Sequence, residues 1–548
     1  MKKALSFLLT SIILVVISFQ ISNSNENKVM AENSVNDFIK GADISTLDQL
    51  ESQGAKFYEN GVEKDVMQIL KDHGINYIRL RLWNDPYDMY GNPYGAGNTD
   101  LDTVISLAKR AQHLDMKFLL DFHYSDFWAD PGKQNKPKAW ENLTFNDLET
   151  ELYNYTKDVM NQLTLEGVIP DMVQIGNELN SGMLWPDGKS WGEGGGEFDR
   201  LATLLKAGID GVKDSNAGNN IEIMLHLADG GDNDVFRWWF DEITSRNVDF
   251  DVIGVSYYPY WHGSLNDLQY NLDNISQHYN KDVIVVETAY GHTTANGDAL
   301  ENAFTAVEEQ IAGYPATVQG QKDYLRDLIN VISNVPENKG AGMFYWEPAW
   351  IPIDGAGWAT QAGMSYINEY TVEGNEWENQ ALFDFNGNAL ASLDVFNEQV
   401  HYNKIKNHNF ELDGATQVPS YWERWSRTGD YSPIKVENPG YNSEFKLTHW
   451  SDVDYEVSTY QQVESLENGI YSLSAWILNS GGQKNATMYA KIQNGIEWYV
   501  DLPTANEWTK VTIHNIEVTN GFLEVGFWSN AYANNWINVD NVQLYKQN

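Results

Sequence analysis

The stretch Asp171-Met172-Val173-Gln174-Ile175 is a short apolar run, and it turns polar at Gly176-Asn177-Glu178. Amphipathic segments with helical period lie on either side of it in the chain, residues 148–165 before it and residues 201–213 after it. An apolar run of this length between two such segments is typical of a buried strand. Strands that alternate with helices form parallel sheets, because parallel neighbours need a long crossover connection.

Seven further runs of this kind lie between about residue 38 and residue 400, with amphipathic segments such as 101–113 and 319–332 between them. They are Phe38-Ile39-Lys40-Gly41-Ala42-Asp43, Tyr77-Ile78-Arg79-Leu80, Lys117-Phe118-Leu119-Leu120, Ile221-Glu222-Ile223-Met224, Val252-Ile253-Gly254-Val255, Val283-Ile284-Val285-Val286 and Gly342-Met343-Phe344-Tyr345. Eight strand–helix units predict an α/β protein with a closed (β/α)8 TIM barrel. An open doubly wound sheet fits less well, since no glycine-rich phosphate-binding turn follows the first run.

After about residue 400 the long helical periods stop, and short runs with alternating apolar and polar residues follow. Examples are Tyr471-Ser472-Leu473-Ser474-Ala475-Trp476, Thr487-Met488-Tyr489-Ala490-Lys491-Ile492 and Phe522-Leu523-Glu524-Val525-Gly526-Phe527-Trp528. Alternation of this kind is typical of strands with one buried face. The sequence therefore predicts an all-β sandwich domain over residues 404–548.

The first 31 residues have the pattern of a secretory signal peptide. Lys2 and Lys3 precede an apolar run from residue 4 to about residue 21, and Val29-Met30-Ala31 offers a cleavage site. An uncleaved membrane anchor is the alternative, because the apolar run is nearly long enough to span a bilayer. We expect a secreted, extracellular protein without a membrane partner once the signal peptide has been cleaved.

The 548 residues carry a formal net charge of −41 and contain no cysteine. Such a charge repels nucleic-acid phosphates and anionic membranes, so neither partner is expected. The lack of cysteine excludes disulfides, zinc–thiolate sites and cysteine nucleophiles. The 20 Trp, 30 Tyr and 21 Phe are consistent with sugar binding, since flat aromatic faces stack on sugar rings, although most aromatic rings of a globular protein belong to its core.

Two glutamates end two of the predicted strands, Glu178 after the fourth run and Glu287 after the seventh. In a (β/α)8 barrel the functional side chains lie at the carboxyl ends of the strands, and the fourth and seventh strands face each other across the mouth. Glycoside hydrolysis requires two carboxyl groups in one cleft. One protonates the leaving oxygen, and the other attacks the anomeric carbon or activates water. A single acid at a strand end could equally form a salt bridge, so the prediction depends on the pair.

Other residues suited to sugar chemistry end the neighbouring strands. They are Arg79, Arg81, His123, Asn177, His226, Tyr257 and Trp346. An arginine and an imidazole near the nucleophile would keep its carboxylate ionised, and a tyrosine hydroxyl could donate a hydrogen bond to it. The indole of Trp346 could form the floor under the sugar, and Asn177 could bond its 2-hydroxyl group.

Longer motifs around these residues resemble glycoside hydrolase family 53. They are Gly41-Ala42-Asp43, Arg79-Leu80-Arg81-Leu82-Trp83, Asp121-Phe122-His123-Tyr124-Ser125-Asp126-Phe127-Trp128-Ala129-Asp130-Pro131, Gln174-Ile175-Gly176-Asn177-Glu178 and Tyr345-Trp346-Glu347-Pro348, within a catalytic domain of residues 36–400. The family consists of endo-β-1,4-galactanases, which cut the galactan side chains of pectin. The resemblance implies that Glu178 is the acid/base and Glu287 the nucleophile of a retaining reaction, with carboxyl groups about 5–5.5 Å apart. It adds Asp43, Asp126 and Trp128 to the predicted substrate-binding residues, and it implies that the chemistry needs no cofactor.

Bacterial members of this family are similar in having a calcium site in the loop after the seventh strand. In this sequence Asn296, Asp298 and Asn302 could supply oxygen ligands to a structural Ca²⁺. The family pattern has a histidine within this run, whereas Ala299 and Leu300 occupy that part here. A calcium site and a polar surface loop are therefore alternative predictions.

The C-terminal region resembles carbohydrate-binding jelly rolls, and its linkage to a galactanase-like barrel favours the galactan-binding family 61. The motifs that carry the resemblance are Asn407-His408-Asn409-Phe410-Glu411, Gly469-Ile470-Tyr471-Ser472-Leu473-Ser474-Ala475-Trp476 and Val539-Asp540-Asn541-Val542-Gln543-Leu544. The candidate sugar-stacking residues are Trp422, Trp425, Trp450, Trp528 and Trp536. Such a module would raise the concentration of polymer at the catalytic cleft.

The sequence thus predicts a secreted endo-β-1,4-galactanase that acts on galactan or arabinogalactan. Another barrel endoglycanase, a β-mannanase or an endoglucanase, is one alternative, and the motifs after the second and third strands argue against it. A non-catalytic polysaccharide-binding protein is the other, and it would have no need of two opposed acids.

Overall fold

A computed structural model describes residues 38–192, 196–218, 220–441, 443–493 and 495–547. The predicted signal peptide, residues 1–31, lies outside the described residues. Within the described part of the chain, no helix is both long enough and apolar enough to cross a bilayer.

Eight parallel strands close into a barrel, which confirms the predicted (β/α)8 fold. In chain order they are β1 Ile39–Asp43, β2 Tyr77–Leu82, β3 Lys117–Phe122, β4 Met172–Ile175, β5 Glu222–Leu227, β6 Val252–Ser256, β7 Asp282–Thr288 and β8 Gly340–Trp346. Each strand pairs with its neighbours in this order, and β1 also pairs with β8, so the sheet has no free edge.

Helices fill most of the connections between the barrel strands. Those in the described residues are α1 Leu47–Ser52, α2 Val66–Asp72, α3 Leu101–His113, α4 Phe145–Leu165, α5 Glu197–Lys213, α6 Asn233–Ser245, α7 Leu265–Tyr279, α8 Ala306–Ala312, α9 Val318–Ser333 and α10 Gln361–Ile367. Side-chain oxygens of Asp100, Thr144 and Ser264 accept backbone N–H groups at the starts of α3, α4 and α7. Such caps satisfy donors that have no partner within the helix.

Apolar side chains fill the barrel interior away from the carboxyl ends of its strands. This layer consists of Tyr77, Leu119, Met172, Met224, Val252, Ile284, Val286 and Phe344. Gly41 in β1 makes room for it, since a Cβ at that position would overlap the ring of Phe344. Because the interior is closed by this layer, the polar residues at the strand ends are left to form the open mouth.

The C-terminal region is an all-β sandwich of two five-stranded sheets, as predicted. Its strands are β9 Glu423–Ser426, β10 Ile434–Glu437, β11 Lys446–Trp450, β12 Tyr455–Val463, β13 Gly469–Asn479, β14 Asn485–Lys491, β15 Glu497–Asp501, β16 Ala505–Val518, β17 Leu523–Ala531 and β18 Trp536–Lys546. The sheet orders are β9-β12-β17-β14-β15 and β10-β11-β18-β13-β16, with antiparallel pairs throughout. Trp422 is only 4% exposed and belongs to the core between these sheets, so it cannot stack on a bound sugar.

The barrel and the sandwich belong to one compact unit, Ile39–Asn548. They meet at α7, where Asn409 Nδ2 donates a hydrogen bond to Asp273 Oδ2 at 2.7 Å. Both side chains are buried. The barrel strands end at Trp346 and the sandwich strands begin at Glu423. The division into residues 36–400 and 404–548 stays a prediction.

Candidate active site

Glu178 and Glu287 line the same cleft at the barrel mouth, which has a volume of about 720 Å³. Glu287 lies within β7, and Glu178 lies three residues after the end of β4. The turn between β4 and Glu178 is tight, with positive φ angles of 81° at Gly176 and 46° at Glu178. A left-handed backbone costs a residue with a side chain about 1 kcal/mol or more, and such strain is concentrated at functional sites.

Charged groups surround the carboxylate of Glu287. Arg79 Nη1 lies 2.7 Å from Glu287 Oε1, and the Tyr258 hydroxyl donates to Oε2 at 3.3 Å. The same guanidinium also pairs with Asp43 at 2.9 Å and with Asp121 at 2.8 Å. Burial raises the pKa of Glu287, and the charge of Arg79 opposes that rise. The arginine therefore favours the ionised form of this carboxyl group.

The carboxyl group of Glu178 has a neutral hydroxyl instead of a cation as its hydrogen-bond partner among the described residues. The Ser256 hydroxyl is within hydrogen-bond distance of Glu178 Oε1, at 2.8 Å. Burial raises the pKa of the Glu178 carboxyl well above its ordinary value, and the charge of Glu287 raises it further. This carboxyl group is therefore the one that retains a proton.

One protonated and one ionised carboxyl group in a single cleft can perform acid/base and nucleophilic chemistry on a glycosidic bond. The model of glycosyl hydrolase family 53 matches residues 39–396. The chain belongs to glycosyl hydrolase family 53. It is a glycosidase, as the sequence predicts.

Named relatives and solved structures are similar to this family 53 hydrolase over about two thirds of its length. An endo-beta-1,4-galactanase of Bacillus subtilis (strain 168) is 41% identical over an alignment of 384 residues that covers 66% of this chain and 85% of the relative. An arabinogalactan endo-beta-1,4-galactanase of Humicola insolens is 36% identical, covering 65% of this chain and 98% of the relative. The solved Ignisphaera aggregans GH53 catalytic domain is 46% identical with a TM-score of 0.61, covering 66% of this chain and 96% of that domain.

Six of the ten predicted substrate-binding residues of this family 53 hydrolase line the cleft. They are Arg79, Arg81, His123, Trp128, Asn177 and Trp346. The guanidinium of Arg81 lies 4.6 Å from the ring centroid of Trp128, within the range of a cation–π contact. Asn177 is held by the protein, since its Oδ1 accepts from Arg79 at 2.9 Å and its Nδ2 donates to the Ala129 carbonyl at 2.8 Å.

The other four predicted residues are fully buried and do not line the cleft in the described structure. They are Asp43, Asp126, His226 and Tyr257. Asp43 reaches the site through Arg79 at 2.9 Å and Arg81 at 4.0 Å. Asp126 accepts the backbone N–H groups of Asp85 and Lys138 at 3.0 Å and 2.7 Å. These carboxylates hold the loops around the cleft in place.

Tyr258 occupies the position that we predicted for Tyr257. The Tyr257 hydroxyl donates to the carbonyl of Gly263 at 2.9 Å, whereas Tyr258 lines the cleft and bonds Glu287. The reason is that β6 ends at Ser256, so the strand alternation that would fix the direction of the next side chain has already stopped.

Several cleft residues escape the sequence analysis because they lie on loops. The aromatic ones are Tyr258, Trp261, Trp350, Trp358, Tyr370 and Trp377. The run Tyr257-Tyr258-Pro259-Tyr260-Trp261 follows the end of a barrel strand directly, and this position is a signal for Tyr258 and Trp261. Trp377 has no such signal, although its ring packs edge-on against Trp346 with centroids 4.8 Å apart.

The three predicted calcium ligands are engaged with neighbouring protein groups in the described structure. Asp298 accepts the backbone N–H groups of Leu300 at 2.8 Å and Asn375 at 2.7 Å, and Asn296 Oδ1 accepts from Asn302 Nδ2 at 2.8 Å. Of these three side chains only Asn302 has a buried oxygen without a partner, whereas Ca²⁺ takes about 6–8 oxygen ligands. Among the described residues, no cluster of three or more His, Asp or Glu side chains is suited to a metal ion.

Proposed function

We propose that the protein is a secreted endo-β-1,4-galactanase that hydrolyses galactan and arabinogalactan side chains of pectin with retention of configuration. The observation that supports this most directly is the unequal environment of the two glutamates in one cleft. The names of the relatives supply the substrate class, and the signal-peptide pattern of residues 1–31 supports export.

The first step of the proposed reaction forms a galactosyl–enzyme ester. A carboxylate oxygen of Glu287 attacks the anomeric carbon while Glu178 gives its proton to the departing glycosidic oxygen. Arg79 keeps Glu287 ionised, and Tyr258 orients its other oxygen. The reducing-end part of the chain leaves with a new hydroxyl group.

The second step hydrolyses the ester. Glu287 has lost its charge in the ester, so the pKa of Glu178 falls and this residue becomes the base that takes a proton from water. The hydroxide equivalent attacks the same carbon from the opposite face and restores the β-configuration. Two carboxyl groups complete the cycle, and no cofactor takes part.

The cleft suits a neutral polysaccharide more than a charged ligand. Its walls carry aromatic rings from both strand ends and loops, including Trp128, Trp261 and Trp377. Such rings stack on the apolar faces of sugars without requiring a charge on the ligand. A neutral chain also avoids the repulsion exerted by a protein with a net charge of −41.

Release of reducing ends from potato galactan, mannan and carboxymethylcellulose tests the substrate. We expect activity on galactan, whereas activity on only mannan or carboxymethylcellulose would contradict the proposal. Proton NMR of the first products tests the stereochemistry. The β-anomer should appear before mutarotation, and an initial α-anomer would exclude retention.

We further infer that the sandwich binds the same polymer on the outer face of its β9-β12-β17-β14-β15 sheet. Trp425 is 44% exposed there, and Trp528 is half-buried. Both pair with Ser458 on the strand between them, so they lie about 10 Å apart with a small residue in the middle. Tyr460 and Tyr489 extend this aromatic face in the next row.

Electrophoresis of the full chain in a native gel that contains galactan tests this face. In a Glu287→Ala background, Trp425→Ala combined with Trp528→Ala should strongly reduce the retardation by galactan and leave only the part that the catalytic cleft contributes. Trp450→Ala is the matched control, because Trp450 is also partly exposed, at 38%, but lies on the other sheet. If only Trp450→Ala lost the retardation, the galactan-binding site would be assigned to the other sheet.

A further inference from the structure

Three polar side chains lie behind Glu178 and are not used in the reaction proposed above. They are Gln174 in β4, His226 in β5 and Ser256 at the end of β6, and all are fully buried. None of the three lines the cleft in the described structure. They can therefore influence the reaction only through residues that do, and Ser256 contacts one of these directly.

The direction of the hydrogen bonds among these residues follows from the donors and the one acceptor that surround His226 Nδ1. Arg79 Nε donates to Gln174 Oε1 at 3.3 Å, which turns Gln174 Nε2 towards His226 Nδ1 at 3.0 Å. The backbone N–H of Glu178 also points at His226 Nδ1, at 3.4 Å. Asn177 Oδ1 also lies 3.0 Å from this nitrogen, but its two lone pairs already accept from Arg79 Nη2 at 2.9 Å and from Gln174 Nε2 at 3.1 Å. His226 Nδ1 therefore carries the lone pair that accepts the Glu178 N–H.

Burial lowers the pKa of His226 well below its ordinary value, so the ring is neutral and its one hydrogen is on Nε2. This nitrogen lies 2.8 Å from Ser256 Oγ and donates to it. Ser256 then uses its own single hydrogen on Glu178 Oε1, at 2.8 Å. The hydrogen bonds run in one direction, from Arg79 through Gln174 and His226 to Ser256.

We propose that Ser256 is a positioning residue that keeps the proton of the acid/base Glu178 on Oε2. Oε1 already accepts the Ser256 hydrogen, so a proton on that oxygen would face another hydrogen. In the described part of the chain no group hydrogen-bonds Glu178 Oε2, which leaves this oxygen free for the glycosidic oxygen of the substrate. This inference rests on the proposed function, because it assigns Glu178 the role of acid.

The same hydrogen bond also assists the chemical step. As Glu178 loses its proton, negative charge develops on the carboxylate and a bond from a neutral hydroxyl to it becomes stronger. Ser256 therefore stabilises the transition state more than the ground state. Arg79, at the other end of this series of hydrogen bonds, also pairs with Glu287. One arginine therefore orients both carboxyl groups.

Ser256→Ala removes the hydroxyl and adds no atoms, so the fold should be retained. We expect kcat/KM on galactan to fall about 10- to 100-fold, because its leaving group needs a well-placed acid. On a 2,4-dinitrophenyl β-galactobioside, whose leaving group needs no protonation, kcat/KM should fall less than about threefold. Ser333→Ala is the control, since Ser333 is equally buried in α9 and bonds only a backbone carbonyl.

An equal fall on both substrates would assign Ser256 a purely structural role and overturn the proposal. Unchanged activity on galactan would overturn it as well. A wild-type protein that is inactive on both substrates would contradict the proposed function instead, and a titration that needs no substrate then tests Ser256.

That titration follows Glu178 by ¹³C NMR of carboxyl-labelled glutamate, with Glu178→Gln to assign the signal. The Ser256 bond favours the ionised form, so Ser256→Ala should raise the pKa of Glu178. The other charges that act on this carboxyl group, Glu287, Asp130 and Arg79, are the same in both proteins. An unchanged pKa would contradict the proposed hydrogen bond.

Discussion

The two glutamates of the cleft differ in what holds them. Glu287 is fixed by a cation, because Arg79 lies 2.7 Å from it, whereas Glu178 is fixed by the neutral hydroxyl of Ser256 at 2.8 Å. Burial raises the pKa of both carboxyl groups, but only Glu287 has a positive charge in direct contact. The roles proposed for these identical side chains thus differ because their surroundings differ, as in other enzymes with paired carboxyl groups.

Removing the nucleophile is the strongest test of this comparison. Glu287→Ala should lower turnover of galactan by about 10⁴-fold or more, since the variant lacks the carboxylate proposed to form the ester. Azide should restore reaction of a dinitrophenyl galactobioside and give the α-azide. Glu178→Ala should give the β-azide under the same conditions, because its nucleophile is intact. Substantial residual turnover in Glu287→Ala, or the same azide anomer from both variants, would contradict the assignment.

Removing the positive charge of Arg79 should make the surroundings of the Glu178 and Glu287 carboxyl groups more alike. Arg79→Gln should lower kcat/KM about 100-fold and move the acidic limb of the pH profile to higher pH. The sign follows from the role of Glu287, which must be ionised and whose pKa rises without the arginine.

The same substitution should also destabilise the protein, because the buried carboxylates of Asp43 and Asp121 each lose the charge of Arg79. Calorimetry measures this loss, and Arg246→Gln is the control, since Arg246 forms only partly exposed ion pairs. An unmoved acidic limb in Arg79→Gln would show that the arginine does not set the ionisation of Glu287.

Removing the Tyr258 hydroxyl should give a smaller effect. Its bond to Glu287 is 3.3 Å long, so Tyr258→Phe should lower kcat/KM about 10-fold and move the acidic limb slightly upwards. Tyr257→Phe is the matched control, because the Tyr257 hydroxyl bonds only the backbone of Gly263. A larger fall in activity for Tyr257→Phe than for Tyr258→Phe would reverse their assignment.

Chelation should have the smallest effect of all. EDTA should change the melting temperature by less than about 1 °C, since a ligand stabilises a protein only if the folded state binds it. The Asn296, Asp298 and Asn302 side chains are engaged mainly with N–H donors. A fall of several degrees that added Ca²⁺ reverses would show that a cation is bound.

The sequence by itself determined the barrel, the sandwich and the acid pair. Strand and helix periods are local properties, so the eight apolar runs could be located without knowledge of their neighbours. The carboxyl ends of parallel strands in a closed barrel meet at one mouth, and this rule alone brings Glu178 and Glu287 together. The same rule predicted that Arg79 lies near Glu287.

Only the tertiary structure decided which side chains reach the cleft and which lie behind it. Past the last paired residue of a strand the alternation of side chains ends, so the sequence could not distinguish Tyr257 from Tyr258. His226 ends a strand as expected, yet packing places it behind Ser256. Trp377 enters from a distant loop, and the direction of the hydrogen bonds that reach Glu178 depends on contacts among four strands. Such contacts join residues far apart in the chain, and no local pattern encodes them.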